Sequence, residues 1–141
     1  MKKIPGIPTT YKGIRFRSRL EARWAVMFDL VGFRWEYEPF DMPGWIPGFL
    51  LRFTRSTLVE VKPITEIDNS VCDEMVAARG GENHRLLLLG CAHDAGWICN
   101  PGETHWAKRS LADALAGVGG TPEIVGSLWA EACNSVQWRA R

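Results

Sequence analysis

The spacing of apolar and polar residues changes period along the chain, and each change marks an element. Residues 45–53 and 57–62 are two apolar, β-type runs on either side of a short polar turn, Thr54-Arg55-Ser56, a pattern that predicts a hairpin. Two charges, Glu60 and Lys62, interrupt the second run. They stand two residues apart, so a strand would send both to one face, roughly 6.6 Å apart, with Val59 and Val61 on the other. Upstream, Leu20, Trp24, Phe28 and Val31 recur at helical spacing. Ser18 with Glu21 three residues on reads as a capping box, and Gly32 as the C-terminal stop. Residues 33–38 then alternate, with Trp35 and Tyr37 assigned to the core face of a half-buried strand and Glu36 and Glu38 to the other.

Downstream of the hairpin the period returns to that of a helix. Asp68, Asn69 or Ser70 starts it, Ile67, Val71 and Met75 are spaced by four, and Gly80-Gly81 end it. Residues 85–90 are a continuous apolar run bounded by turn residues, as in a strand covered on both faces. Two apolar strands joined through a helix imply a parallel crossover. A short strand is expected at 96–99, a helix at 107–116 with Leu111 and Leu115 inward, and a breaker at 117–120. Thr121-Pro122-Glu123 opens a last helix, with Ile124, Leu128, Ala132 and Val136 as its buried stripe. Trp129 and Trp138 are placed off that stripe, at the core edge or toward a partner, and Arg139 and Arg141 at its end. Residues 1–10 read as an extended arm. The expected architecture is one α/β domain over residues 1–141, a mixed central β-sheet flanked by helices.

Composition supports a globular chain: 46% of the 141 residues are hydrophobic and 23% charged. No apolar run reaches the roughly 18 residues of a membrane span, and the N-terminus lacks the apolar core of a signal peptide, so a cytoplasmic location is expected. Cys72, Cys91, Cys99 and Cys133 are irregularly spaced, which favours reduced thiols over a disulfide framework. Cys91, His93, Cys99 and His105 are of zinc-ligand type, but their spacing is not that of a zinc knuckle; a loop and short strand packed by Trp97 and Trp106 is preferred, and zinc is not expected. The net charge of +1 conceals an asymmetry: residues 1–23 carry seven bases against one acid, a net +6. Such a segment is either a solvated face or a phosphate-binding patch.

A carboxylate and an ammonium on one face of a stiff strand have two readings. One is an exposed Glu-x-Lys pair on an edge strand. The other is metal-assisted phosphodiester hydrolysis, since Mg²⁺ needs only one or two carboxylates beside phosphate oxygens. The segments Tyr11-Lys12-Gly13-Ile14-Arg15-Phe16-Arg17-Ser18-Arg19-Leu20-Glu21-Ala22-Arg23-Trp24, Trp35-Glu36-Tyr37-Glu38-Pro39, Ile46-Pro47-Gly48-Phe49 and Val59-Glu60-Val61-Lys62-Pro63 bear on the choice. In order and spacing they resemble the small phage-encoded nuclease-like proteins of the PD-(D/E)XK superfamily, over somewhat more than a third of the chain.

That resemblance implies a restriction-endonuclease-like fold and a Mg²⁺- or Mn²⁺-dependent DNA endonuclease. Glu21 and Glu60 would bind metal, and Lys62 would stabilise charge or position water. Lys12, Arg15, Arg17, Arg19 and Arg23 would hold the DNA backbone, in a homodimer. It also exposes a departure. Members of the superfamily usually read Pro-Asp-Phe where this chain has Pro47-Gly48-Phe49, and glycine cannot be a ligand. Either Asp41, Glu38 or Asp68 supplies the missing carboxylate, or catalysis is lost. In the second case the fold is kept for binding DNA or, as a phage-encoded inhibitor, a host protein.

Overall fold

The computed structural model describes residues 6–52, 55–109 and 122–136. The expected residues 1–5, 53–54, 110–121 and 137–141 of the arm, turn, helix and C-terminus lie outside these.

Two strands, β1 (Thr9–Tyr11) and β2 (Ile14–Phe16), form a small antiparallel hairpin. Its two-residue loop, Lys12-Gly13, has φ of 52° and 75°, the left-handed pair that matches strand twist. Helix α1 (Arg19–Leu30) follows, capped as expected: the Ser18 hydroxyl accepts from Glu21 N–H at 3.1 Å. At its other end Gly32 takes φ 78°, and Phe33 N–H reaches back to the Phe28 carbonyl at 2.8 Å, a six-to-one closure that lets Phe33 pack on Phe28.

The remaining strands are β3 (Trp35–Tyr37), β4 (Phe49–Arg52), β5 (Ser56–Val61), β6 (Arg85–Leu89), β7 (Gly96–Cys99) and β8 (Ala107–Lys108). They form one six-stranded sheet in that order. Among the described residues only the β5–β6 pair is parallel, and helix α2 (Asn69–Arg79) makes the crossover between them. Asp68 caps α2 and Gly80 ends it. The sheet is therefore mixed, as the apolar runs imply.

Each face of the sheet carries its own core. Val59, Val61, Phe49, Leu51 and Leu89 meet α1 and the last helix, α3 (Pro122–Ser135). Leu50, Leu58, Leu86 and Leu88 meet Val71, Cys72 and Met75 of α2. The alternation that sends Val59 one way and Leu58 the other builds an α/β/α sandwich from strand period alone.

Three details differ from the sequence reading. The first hairpin strand begins at Phe49, because Trp45 closes a tight turn with Met42, exchanging both backbone bonds at 2.9 and 3.1 Å. Ala107–Lys108 is a strand where a helix was expected, since both residues pair with Trp97 and Ile98 at the sheet edge. The buried stripe of α3 is turned by about one residue. Val125, Trp129, Ala132 and Val136 face inward, Leu128 is only partly buried and Ile124 is 50% exposed. Trp129 is core, its ring 4.5 Å from that of Trp24.

Candidate active site

Three chain segments converge at the ends of β4 and β5. Glu21 is on the first turn of α1, where its main-chain N–H is held by Ser18 and its side chain is left to point away. Helix packing buries it against β3, and Tyr37 Oη donates to Glu21 Oε1 at 3.1 Å. The same hydroxyl accepts from Arg17 N–H at 3.1 Å. Burial pushes the Glu21 carboxyl above its usual value, against the Tyr37 hydrogen bond and with the help of the nearby Glu38 charge.

Glu60 is on β5, a strand paired on both sides. It is 8% exposed. Its Oε2 accepts from Trp45 Nε1 at 2.9 Å and its Oε1 from Val61 N–H at 3.1 Å. Burial raises this carboxyl too; the Lys62 charge and both hydrogen bonds oppose the rise, and the Glu21 charge adds to it. The two carboxylates thus feel each other.

Gly48 sits between them. Its backbone is fixed at both atoms: its N–H bonds the Val59 carbonyl, and its carbonyl accepts from Glu38 N–H, each at 2.8 Å. A Cβ placed on Gly48 would lie 3.4 Å from Glu21 Oε2 and 3.9 Å from Glu60 Oε1. These are ordinary contacts, and the Gly48 φ is outside the left-handed region. Nothing in the fold requires glycine there. Lys62 follows directly after β5, its N–H bonded to the Leu89 carbonyl at 2.9 Å. Glu21, Gly48, Glu60 and Lys62 all line one cavity of about 760 Å³.

The remaining expected residues divide. Arg17 and Arg19 border this cavity. Arg17 is paired with Glu38 at 3.0 Å. Lys12 is turned to the C-terminal end of α1, where it pairs with Asp29 at 2.9 Å beside Tyr11, away from the cavity. Arg15 is exposed on β2, and Arg23 is half-buried on α1 with its Nε lacking a partner; neither lines the cavity.

Of the three substitutes for a carboxylate at 48, Asp41 and Glu38 line the cavity. Glu38 is committed to Arg17 and has a positive φ of 44°. Asp68 is committed as the α2 cap, accepting from Ser70 N–H, Ser70 Oγ and Val71 N–H, and does not border the cavity. Cys99, one of the zinc-type residues, is buried in β7 with its thiol donating to the Glu103 carbonyl at 3.2 Å, whereas Cys91 is exposed. Among the described residues, no three or more His, Cys, Asp or Glu side chains are gathered for a metal. No helix among them is long and apolar enough to cross a membrane.

Sequence reasoning missed Tyr37 and Trp45. It took Tyr37 as core and Trp45 as hairpin strand, yet each supplies the donor that holds one carboxylate. The available signal was chemical rather than periodic, since a buried Tyr or Trp needs a partner for its polar tip. Comparison with protein-family models, with curated proteins and with solved structures finds no match to this chain.

Proposed function

We propose that the chain is a divalent-metal-dependent DNA endonuclease of the PD-(D/E)XK type with one metal ligand missing. The observation that carries this reading is position 48, whose Cβ would lie within 4 Å of a carboxylate oxygen of both Glu21 and Glu60. A Glu-x-Lys pair on an exposed edge strand would have no such neighbours. Here Glu60 is on a central strand and almost fully buried.

The residues present fit a hard cation. Burial raises both carboxyls, the Glu21 charge adds to the rise at Glu60 while Lys62 opposes it, and the position above Gly48 adjoins an oxygen of each. Glu60 and Glu21 would hold Mg²⁺ or Mn²⁺, which supplies polarisation of the phosphoryl group and a more acidic bound water. Lys62 lies beside Glu60 to balance charge developing on the phosphate oxygens. Tyr37 and Trp45 fix the two carboxylates in orientation. Arg17 and Arg19, at the cavity rim, take the flanking phosphates.

Nicking of supercoiled DNA in Mn²⁺ tests the proposal. The protein as it stands should nick slowly, Gly48→Asp should be about 10–100-fold faster, and Glu60→Ala should abolish both. Cleavage indifferent to Glu60→Ala would refute it. A second reading is favoured by one observation: both Glu60 oxygens already have hydrogen-bond donors, Trp45 Nε1 and Val61 N–H. On that reading the fold binds DNA or a host protein and cuts nothing. Salt-sensitive DNA binding with no cleavage by any of the three proteins would support it.

A further inference from the structure

Arg17, which the nuclease reading gives to a flanking phosphate, already has a partner. Its guanidinium lies 3.0 Å from the Glu38 carboxylate. The chain reaches this pairing by an unfavourable route. Strand alternation sets Glu38 on the same face as Glu36, and Glu36 is bonded there to Arg52 of β4. Glu38 departs from the strand: its φ is 44°, a left-handed value that only Gly, and less often Asn or Asp, adopts readily. Pro39 follows it, and a proline normally holds the residue before it extended. The Glu38 N–H is nevertheless fixed to the Gly48 carbonyl at 2.8 Å. The bend brings the carboxylate to Arg17, and close enough to Glu21 for its charge to raise that carboxyl. Backbone strain kept beside a candidate site points to a use for it.

We propose that Glu38 is an autoinhibitory stand-in for the substrate phosphate, holding Arg17 until a DNA backbone displaces it. The inference rests on the nuclease reading and adds a regulatory contact to that same site. A carboxylate on a guanidinium uses the donors that would take a phosphodiester oxygen, so the two anions compete for one side chain. The Arg17 and Glu38 side chains are 55% and 28% exposed. An incoming strand can therefore reach the pair, and a partly exposed ion pair is weak enough to be exchanged. A lone phosphate competes with a carboxylate that is tethered in place. A backbone that also engages Arg19 and Lys62 of the same cavity arrives with several linked contacts and displaces it.

The test is equilibrium binding of a fluorescent DNA duplex, by anisotropy in EDTA so that no strand is cut. Glu38→Gln should bind about threefold tighter than the parent, the order of one partly exposed ion pair. Asp41→Asn removes the same charge from the wall of the same cavity without freeing Arg17, and should bind nearly like the parent. In an Arg17→Gln background, Glu38→Gln should add nothing. Glu38→Asn, which accepts the left-handed backbone more readily, serves as a second variant, and thermal melts confirm that each protein is folded. An equal gain from Asp41→Asn, or a gain that survives Arg17→Gln, overturns the autoinhibitory contact and leaves the nuclease reading standing. No gain from either Glu38 variant, where the parent binds, does the same. Failure of every protein to bind overturns both.

Discussion

Gly48→Asp is the substitution that interrogates the site without relying on turnover. The backbone accepts it, because φ is not left-handed and a Cβ meets nothing closer than 3.4 Å. The new carboxylate would come within roughly 5 Å of those of Glu21 and Glu60. At an effective dielectric of about 20, each like-charge pair at that distance costs about 3 kcal/mol. Proton uptake and side-chain relaxation relieve part of this, leaving a net loss of about 2–4 kcal/mol in metal-free buffer at neutral pH. For a chain of this size that lowers the melting temperature by roughly 6–15 °C. A divalent cation at about a hundred times its dissociation constant returns about 2.7 kcal/mol, so Mn²⁺ should restore most of the loss. Acid should restore it as well, because the penalty exists only while the carboxylates are ionised. Thermal melts of the parent and Gly48→Asp, with EDTA or Mn²⁺ and at acid and neutral pH, read all of this. If the variant melts like the parent in EDTA at neutral pH, and Mn²⁺ shifts both equally, positions 21, 48 and 60 do not form one site.

Two further outcomes follow from the same interior. Burial raises the Glu21 carboxyl, so its contribution to stability is complete below its ordinary value of 4.5 and is lost as pH rises through the higher folded value. Glu21→Gln should therefore match the parent in acid and melt higher at neutral pH in EDTA; a lower neutral melt would mean that the Glu21 charge is already compensated. Arg79 is 3% exposed and donates to the carbonyls of His84, Asn100 and Glu103. Arg79→Met should cost about 2–3 kcal/mol by urea unfolding, because a hydrogen bond from a charged donor is worth about 1.5–3 kcal/mol and the Asn100 and Glu103 carbonyls keep other donors, Glu103 N–H and the Cys99 thiol; a loss below about 1 kcal/mol would show that water replaces the guanidinium.

Much of the fold was legible because local chemistry and tertiary packing agree. Ser18 and Gly32 delimit α1, Asp68 and Gly80 delimit α2, and the glycine- and cysteine-bounded run 96–99 is strand β7. Where they disagree the sequence misleads. Ala107 and Lys108 have helix-forming side chains, yet an open edge of β7 takes them as a strand. On α3, Ile124 and Val125 are equally apolar, so periodicity does not choose between them; the Trp24 ring does, by drawing Trp129 inward. The site is legible in the same partial way. Glu21, Glu60 and Lys62 could be selected from spacing and resemblance. That Glu60 is buried, that Gly48 lies between two carboxylates, and that Lys12 turns to Asp29 are facts of packing. No local pattern encodes them.

The position of the site along the sheet also sets how its parts can move. Glu60 is on a strand bonded on both sides, and one of its neighbours arrives only through the α2 crossover. Its backbone therefore opens only when the whole sheet does, and it should be among the last amides to exchange with solvent. Lys62 is two residues further on, past the end of β5, where its N–H bonds the Leu89 carbonyl, its own carbonyl accepts from Ile64 N–H, and a proline follows. The acid is thus anchored for the lifetime of the fold, while the ammonium stands at the end of a flexible four-carbon side chain just past the strand. On the proposed nuclease reading, a carboxylate that stays in place beside a cation that can adjust would let positive charge follow a phosphate as its geometry changes, without disturbing the strand beneath.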